Sequence, residues 1–331
     1  MFKDKKILIT GGTGSLGQAL TKRLLGENVK TIRIFSRNEE KQVYMENKFD
    51  DNRLRFLLGD ITDLERLKRA FEDIDIVFHT AALKHVPKIE YNPFEAIKTN
   101  VIGSQNVIDA CLHENVEKAI AIGTDKAVSP LNTYGATKLL MEKLFVSANN
   151  YVNPKKHLTK FISVRYGNVF GSSGSVVPRF IEQIKKKQKI TITRFSITMN
   201  EALDFILSAT NSGKGSEIFV PKMRAYNIMD LKDAFYELFE NYGENIIGIR
   251  PGEKLHEVLI GDDEIRQSWE FNQMFMITNP LYPLFHVNKI NESYPNIKKI
   301  ENIKNYSSDI AEKISKEELK KMIKDSGLIV P

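Results

Sequence analysis

Residues 5–25 read KKILITGGTGSLGQALTKRLL, and the fold follows from how this stretch changes period. After two lysines, ILIT is continuous in apolar character, as a strand covered on both faces should be. Leu16, Ala19, Leu20 and Leu24 then recur at helical spacing. The turn between them carries Gly11, Gly14 and Gly17 in a GxxGxxG pattern. Glycines there let the backbone turn tightly and approach a pyrophosphate, while the helix that follows directs its N-terminal amides at that charge. A glycine triplet alone can simply join two elements; the strand before and helix after make this one a dinucleotide loop.

The same alternation extends outward. Residues 31–36, 55–60, 74–80, 118–124 and 160–168 read as further strands rich in Ile, Val and Phe. Strand–helix–strand alternation predicts an α/β fold, a Rossmann-like doubly wound parallel sheet with ligands at the carboxyl ends of its strands. The alternation weakens after residue 169. GSSGS (171–175) reads as a loop, 201–210 as a helix and 216–221 as a strand, and Ser315 with Glu318 forms a capping box before Leu319, Met322 and Ile323. The expected organisation is a dinucleotide-binding domain over 1–169, rejoined by about 197–212, and a smaller mixed α/β substrate lobe from 170–196 and 213–331.

The 331 residues suffice for one large domain or two modest ones, and the 42% hydrophobic and 27% charged content is that of a globular chain. A single cysteine, Cys111, rules out an internal disulfide framework and a multi-cysteine zinc site, and fits a reducing, cytoplasmic setting. No run approaches the length of a membrane span, and the first turn comes too early for a secretory signal. The 48 basic and 42 acidic residues give +6, but the cations are scattered. Their densest group, Lys185, Lys186, Lys187 and Lys189, reads as a solvated helix face rather than a nucleic-acid site.

At the end of the second strand, where an NAD site places an acid for the ribose 2′-hydroxyl, stand Ser36 and Arg37, with Lys41 one turn on. A hydroxyl and two cations suit a 2′-phosphate, so NADP is the expected cofactor; the alternative is that Arg37 and Lys41 are plain surface charges. Asp60 and Ile61, closing the third strand, are placed to meet the adenine edge. Farther on, Tyr134 and Lys138 form YxxxK, one turn apart on one helix face. A neighbouring ammonium and a positive nicotinamide favour the phenolate of Tyr134, making it a base. Thr124, Asp125 and Lys126 follow the preceding strand.

These motifs resemble the extended short-chain dehydrogenase/reductases and, more narrowly, the inverting UDP-N-acetylglucosamine 4,6-dehydratases of pseudaminic acid and capsule biosynthesis. The match is carried by GGTGSLG (11–17), FSRNEEKQ (35–42), AALKHVP (81–87), EAIKTNVIGSQNVIDAC (95–111), TDKAVSPLNTYGATK (124–138), RYGNVFGSSGSVVP (165–178) and IRPGEKLHE (249–257). The resemblance implies that Thr13, Ser15, Leu16 and Ala81 join the glycines in holding NADP. It also implies a UDP-sugar substrate and a homo-oligomer, a hexamer in relatives. Dehydratases that retain configuration at C5 resemble one another in an Asp-Glu pair after the threonine, whereas this chain has Asp125-Lys126.

In that reading Tyr134 takes the 4-hydroxyl proton, Lys126, its pKa lowered by burial, removes and returns the C5 proton, and Asp125 assists loss of the 6-hydroxyl. The alternative for Asp125–Lys126 is a plain ion pair at a strand end. Thr124, Lys84 and Asn168 are expected at the sugar or phosphates, Val177 and Pro178 beside the nucleotide, and Arg194 and Arg250 on the pyrophosphate. Glu253 and Glu257 are weaker candidates, the alternative being that either simply supports Arg250. His79, His85 and His256 have no metal-like spacing and read as structural or peripheral, so no metal is expected. Residues 190–197, ITITRFSI, are shorter than the family's pattern of ITDPxMTRFxM, which bears on Arg194. The rival enzymes are a sugar-nucleotide 4-epimerase and a dehydratase of a different nucleotide sugar; an NADP-sensing regulator has no need of Tyr134, Lys138, Asp125 and Lys126 together.

Overall fold

The computed structural model describes residues 1–151, 153, 155–170, 190–191, 197–239, 244–245, 252, 254–281 and 290–325. Strands β1 (Lys6–Thr10), β2 (Thr31–Ser36), β3 (Leu54–Leu58), β4 (Ile76–His79), β5 (Lys118–Ile122) and β6 (Lys160–Val164) alternate with helices α1 (Ser15–Leu25), α2 (Glu39–Phe49), α3 (Leu64–Phe71), α4 (Val86–Tyr91), α5 (Pro93–Ala96), α6 (Gly103–His113) and α7 (Thr133–Tyr151). A π-helical segment, Ile97–Ile102, runs between α5 and α6. Later elements are β7 (Ile190–Thr191), α8 (Met199–Ser212), β8 (Glu217–Pro221), α9 (Ile228–Leu238), β9 (Glu244–Asn245), β10 (Val258–Ile260), β11 (Ser268–Phe271), β12 (Met274–Thr278), α10 (Ile290–Ser293), β13 (Lys298–Lys299), β14 (Tyr306–Ser307) and α11 (Lys316–Asp325).

Ten strands form one sheet in the order β13-β11-β12-β8-β6-β5-β4-β1-β2-β3. From β3 to β8 every neighbouring pair is parallel; β12, β11 and β13 extend that sheet antiparallel. Residue alternation explains why the strands read as unbroken apolar runs. Ile7, Ile9, Ile34, Phe78, Ile120 and Ile162 face Leu20 and Leu24 of α1 and Leu203 and Ile206 of α8. Leu8, Phe35, Val77, Ala119 and Phe161 face Leu67 and Phe71 of α3, Val107 and Ile108 of α6, and Met141 and Phe145 of α7. Each face is sealed by helices, the condition for an all-parallel region.

A smaller cluster beyond the sheet gathers Phe170, Tyr226, Leu231, Phe235, Ile314, Leu319 and Ile323, packing α9 on α11. The capping box forms as expected: Glu318 N donates to Ser315 Oγ at 3.3 Å and Ser315 N to Glu318 Oε2 at 3.1 Å. The expected strand over 160–168 ends at Val164, because the chain leaves the ladder to enter the cleft described below. No helix of the described residues is long and apolar enough to cross a membrane. The Lys185–Lys189 group lies outside the described residues.

The site is fixed by topology. The chain runs β1-β2-β3 to one side of β1 and β4-β5-β6 to the other, so the loops leaving β1 and β4 part at their carboxyl ends. Doubly wound sheets bind their ligands in that gap.

Candidate active site

A cleft of about 1520 Å³ opens there. Its floor is the glycine loop: Gly11, Thr13, Gly14, Ser15, Leu16 and Gly17 all line it, with Ala81 from the β4 exit. Gly11 sits at φ +66°, and a Cβ on it would lie 2.8 Å from Ala81 Cα. At Gly17 a Cβ would come within 2.4 Å of the Gly12 carbonyl, so α1 packs directly on the loop. Helix α1 starts at Gly14 with no side-chain cap and no acid in its first turn, and carries Lys22 and Arg23 in its last. A helix N-terminus without a side-chain cap or an acid, with its dipole aimed at the loop, suits a pyrophosphate, and the residues present therefore fit a dinucleotide.

Around the second strand the placement is mixed. Lys41 lines the cleft beside Tyr44. Ser36, Arg37, Asp60 and Ile61 do not. Ser36 is buried, its hydroxyl accepting from Gln42 Nε2 at 3.0 Å. Arg37 Nη1 donates to Asp60 Oδ2 at 3.0 Å, and Asp60 Oδ1 takes Thr62 N and Oγ1, both at 2.9 Å. Ile61 packs under Gly103.

The end of β5 and the start of α7 bring the chemistry together. Thr124 Oγ1 donates to Asp125 Oδ1 at 2.9 Å, and Lys126 Nζ donates to the same oxygen at 3.0 Å and to Asn168 Oδ1 at 3.2 Å. Asp125 is fully buried and its Oδ2 has no hydrogen-bond partner. Thr124, Lys126, Tyr134, Lys138, Asn168 and Lys84 line the cleft, whereas Asp125 stands behind Lys126. A Cβ at Gly135 would lie 2.1 Å from the Lys126 carbonyl, so the first turn of α7 seats on Lys126. Asn132 caps that turn, accepting from Gly135 N at 2.8 Å while its Nδ2 donates to Gly252 O at 2.8 Å. Val177, Pro178, Arg194, Arg250 and Glu253 lie outside the described residues.

Two electrostatic expectations need correction. Burial does pull the Lys126 ammonium down, but Asp125, Glu257 and Tyr134 together outweigh it, and its pKa is raised rather than lowered. For Tyr134, burial pushes the phenol up; Lys126 and a hydrogen bond with Thr124 oppose this, Asp125 and Glu142 add to it, and the result is raised. The cation that favours its phenolate is thus Lys126, not Lys138. Burial brings Lys138 down to about 8 against the pull of Glu142. His79 is structural, as expected: it is buried, with Nδ1 2.8 Å from Thr10 Oγ1 and Nε2 3.0 Å from Ser104 Oγ. Because Ser104 Oγ donates to Asn100 O at 2.7 Å, Nε2 carries the proton. Burial and then Lys138 hold His79 down to about 3.

Several residues of the site escaped the sequence reading. Lys254 lines the cleft and donates to Val128 O; Glu257, a weaker candidate in the sequence, lines it as well and raises the Lys126 pKa. Asn100, in the π-helical segment, holds the cleft wall: Nδ2 donates to Leu83 O at 3.0 Å and Thr137 Oγ1 at 3.0 Å, and Oδ1 accepts Leu83 N at 2.8 Å. Arg165 is buried between Glu142 and Glu264. Its place in RYGN was the only available signal.

A doubly wound sheet, a glycine loop under the switch point and a YxxxK helix beside it define an extended short-chain dehydrogenase/reductase. The chain belongs to the family described as polysaccharide biosynthesis protein, whose model matches residues 7–279. It is 50% identical over 286 residues to a Campylobacter jejuni protein named UDP-N-acetylglucosamine 4,6-dehydratase (inverting), covering 84% of each chain. A Rickettsia massiliae protein named UDP-glucose 4-epimerase is 38% identical over 98% of this chain and 96% of its own. Among solved structures, Pen from Bacillus thuringiensis superposes with a TM-score of 0.90 at 42% identity, over 99% of this chain and all of that one.

Proposed function

We propose that the protein is an inverting, NADP-dependent UDP-N-acetylglucosamine 4,6-dehydratase, a lyase forming UDP-2-acetamido-2,6-dideoxy-β-L-arabino-hex-4-ulose. The observation that carries the reading is the Lys126 amine, held between Asp125 and Asn168 at the wall of a cleft that also presents Tyr134. Reversible oxidation alone has no use for that cation. The half-identical Campylobacter dehydratase supports the same reading.

When bound, the nicotinamide accepts and returns the hydride. Gly11, Thr13, Gly14, Ser15, Leu16, Gly17, Ala81 and Lys41 would hold the dinucleotide, with Ser36, Arg37, Asp60 and Ile61 behind its adenosine end. Tyr134, ionised when the positive charge of the bound nicotinamide adds to that of Lys126, receives the 4-hydroxyl proton, and Lys138 orients the coenzyme. In the resting site the proton sits on Lys126. Transfer of that proton along the 3.0 Å contact gives a neutral amine and a protonated Asp125, the pair that elimination needs. The amine then takes the C5 proton while Asp125 gives its own to the departing 6-hydroxyl, and water leaves. Lys126 returns the proton to C5 on the other face. Thr124, Lys84 and Asn168 position the sugar, and Val177, Pro178, Arg194 and Arg250 the nucleotide. In this proposal residues 1–169 with 197–212 serve the coenzyme and the remainder serves the substrate, in a cytoplasmic homo-oligomer making sugars for surface glycans or flagellin.

A second reading, 4-epimerisation, draws support from the Rickettsia relative's near-complete coverage. Mass spectrometry of UDP-N-acetylglucosamine incubations separates the two. Wild type yields a product lighter by one water, and Lys126→Ala retains coenzyme but loses ~100-fold or more in rate, the usual weight of an acid–base group. Conserved mass in the wild type, or wild-type dehydration by the variant, overturns the reading.

A further inference from the structure

Behind the cleft lies a charged cluster that the proposed reaction does not use. Arg165, just past the end of β6, is fully buried. Its Nη2 donates to Glu142 Oε2 at 2.7 Å and to Glu264 Oε1 at 2.9 Å, Nη1 to Glu264 Oε2 at 2.7 Å and to Leu259 O at 3.0 Å, and Nε to both Glu142 oxygens at 3.2 Å. Glu142 is fully buried on α7, one turn beyond Lys138. Gly123 makes room for it, since a Cβ there would lie 2.2 Å from Glu142 Oε1. Glu264 comes from the turn after β10, where its Oε2 also accepts Gly261 N at 3.1 Å.

The charges show what the cluster is for. One guanidinium against two carboxylates leaves one net negative charge, with Arg165 and Glu142 fully buried and Glu264 20% exposed, and a buried ion left uncompensated is costly. Two cations offset it: Lys143, which acts on Glu264, and Lys138, one helix turn before Glu142 with its Nζ 2.9 Å from Met141 Sδ. A lone Arg165–Glu142 pair would be neutral by itself and would give Lys138 no reason to keep its proton. Glu264, by occupying one edge of the guanidinium, leaves Glu142 with charge to spare for Lys138. The other titratable groups around Lys138 are His79 of β4, neutral with both nitrogens engaged, and Tyr134, one turn back on α7.

We infer that Glu264 and Glu142 are positioning residues that act through Arg165 to hold the proton on Lys138, so that the segment carrying Glu264 sets the charge of the coenzyme-side lysine. The inference rests on the reading of Lys138 as that lysine, but its test needs no sugar. In the full chain labelled with ¹³C at lysine Cε, the Lys138 resonance is assigned by its loss in Lys138→Arg and titrated by NMR. Wild type titrates near the value of about 8 given above. Glu142→Gln should lower the midpoint by a unit or more, and Glu264→Gln should lower it by less in the same direction, with unfolding still cooperative. A merely structural role would lower the unfolding temperature and leave the titration in place. An unchanged or raised midpoint in folded Glu264→Gln overturns the relay, and that variant decides alone if Glu142→Gln does not fold. A wild type that never dehydrates a UDP-sugar would overturn the proposed reaction while leaving these shifts standing.

Discussion

Arg37 shows at the scale of one residue how far a side chain's identity decides chemistry. Read from the sequence, it replaces the acid of an NAD site; in the structure its guanidinium rests on Asp60 at 3.0 Å, with its side chain 60% exposed. An exposed pair of this kind holds the arginine loosely. It is available to a 2′-phosphate, to which a charge-assisted contact contributes about 1.5–3 kcal/mol. Arg37→Asp should therefore weaken NADP roughly tenfold or more while leaving NAD nearly unchanged. Calorimetric titration with each coenzyme checks this; equal loss for both would place Arg37 outside the site. Lys126 teaches a different lesson. That it stands beside Asp125 was plain from the sequence, but its charge was not, because Glu257, far along the chain, helps keep it protonated.

Elements carry the site's rigidity. The wall holding Lys84 depends on Asn100, whose three hydrogen bonds join the π-helical segment to Leu83 and to Thr137 of α7. Asn100→Ala leaves the Leu83 amide and carbonyl without partners and should cost about 1–3 kcal/mol in stability. Because the slack falls on the substrate wall, KM should rise more than kcat falls. A fall confined to kcat would mean that Asn100 serves the reacting groups instead. The parallel strands were legible because each is an apolar run followed by a helical period. The π-helical segment was not, since nothing in IKTNVI departs from helix periodicity. Strands β11 and β12 were also missed. SWEF and MFMIT are short, and only pairing with β8 gives them a sheet to join.

For the whole molecule, topology places the cleft and long-range contacts complete it. The glycine loop, Thr124–Lys126 and YxxxK were each visible locally, and their convergence follows from the strand order. Arg165 lies 23 residues from Glu142 and 99 from Glu264, separations across which no sequence period operates. Lys254 and Glu257 likewise reach the cleft only because the chain folds back over α7 from beyond the sheet's parallel half. What this assembled cleft does to a hexose is read most directly by NMR of the product formed from UDP-N-acetylglucosamine in heavy water without added reductant. The expected product is a 4-keto sugar with deuterium at an inverted C5 and a C6 methyl free of solvent deuterium, its third hydrogen having come from C4. Deuterium in that methyl, retention at C5, or a 4-epimer that has kept its 6-hydroxyl would contradict it.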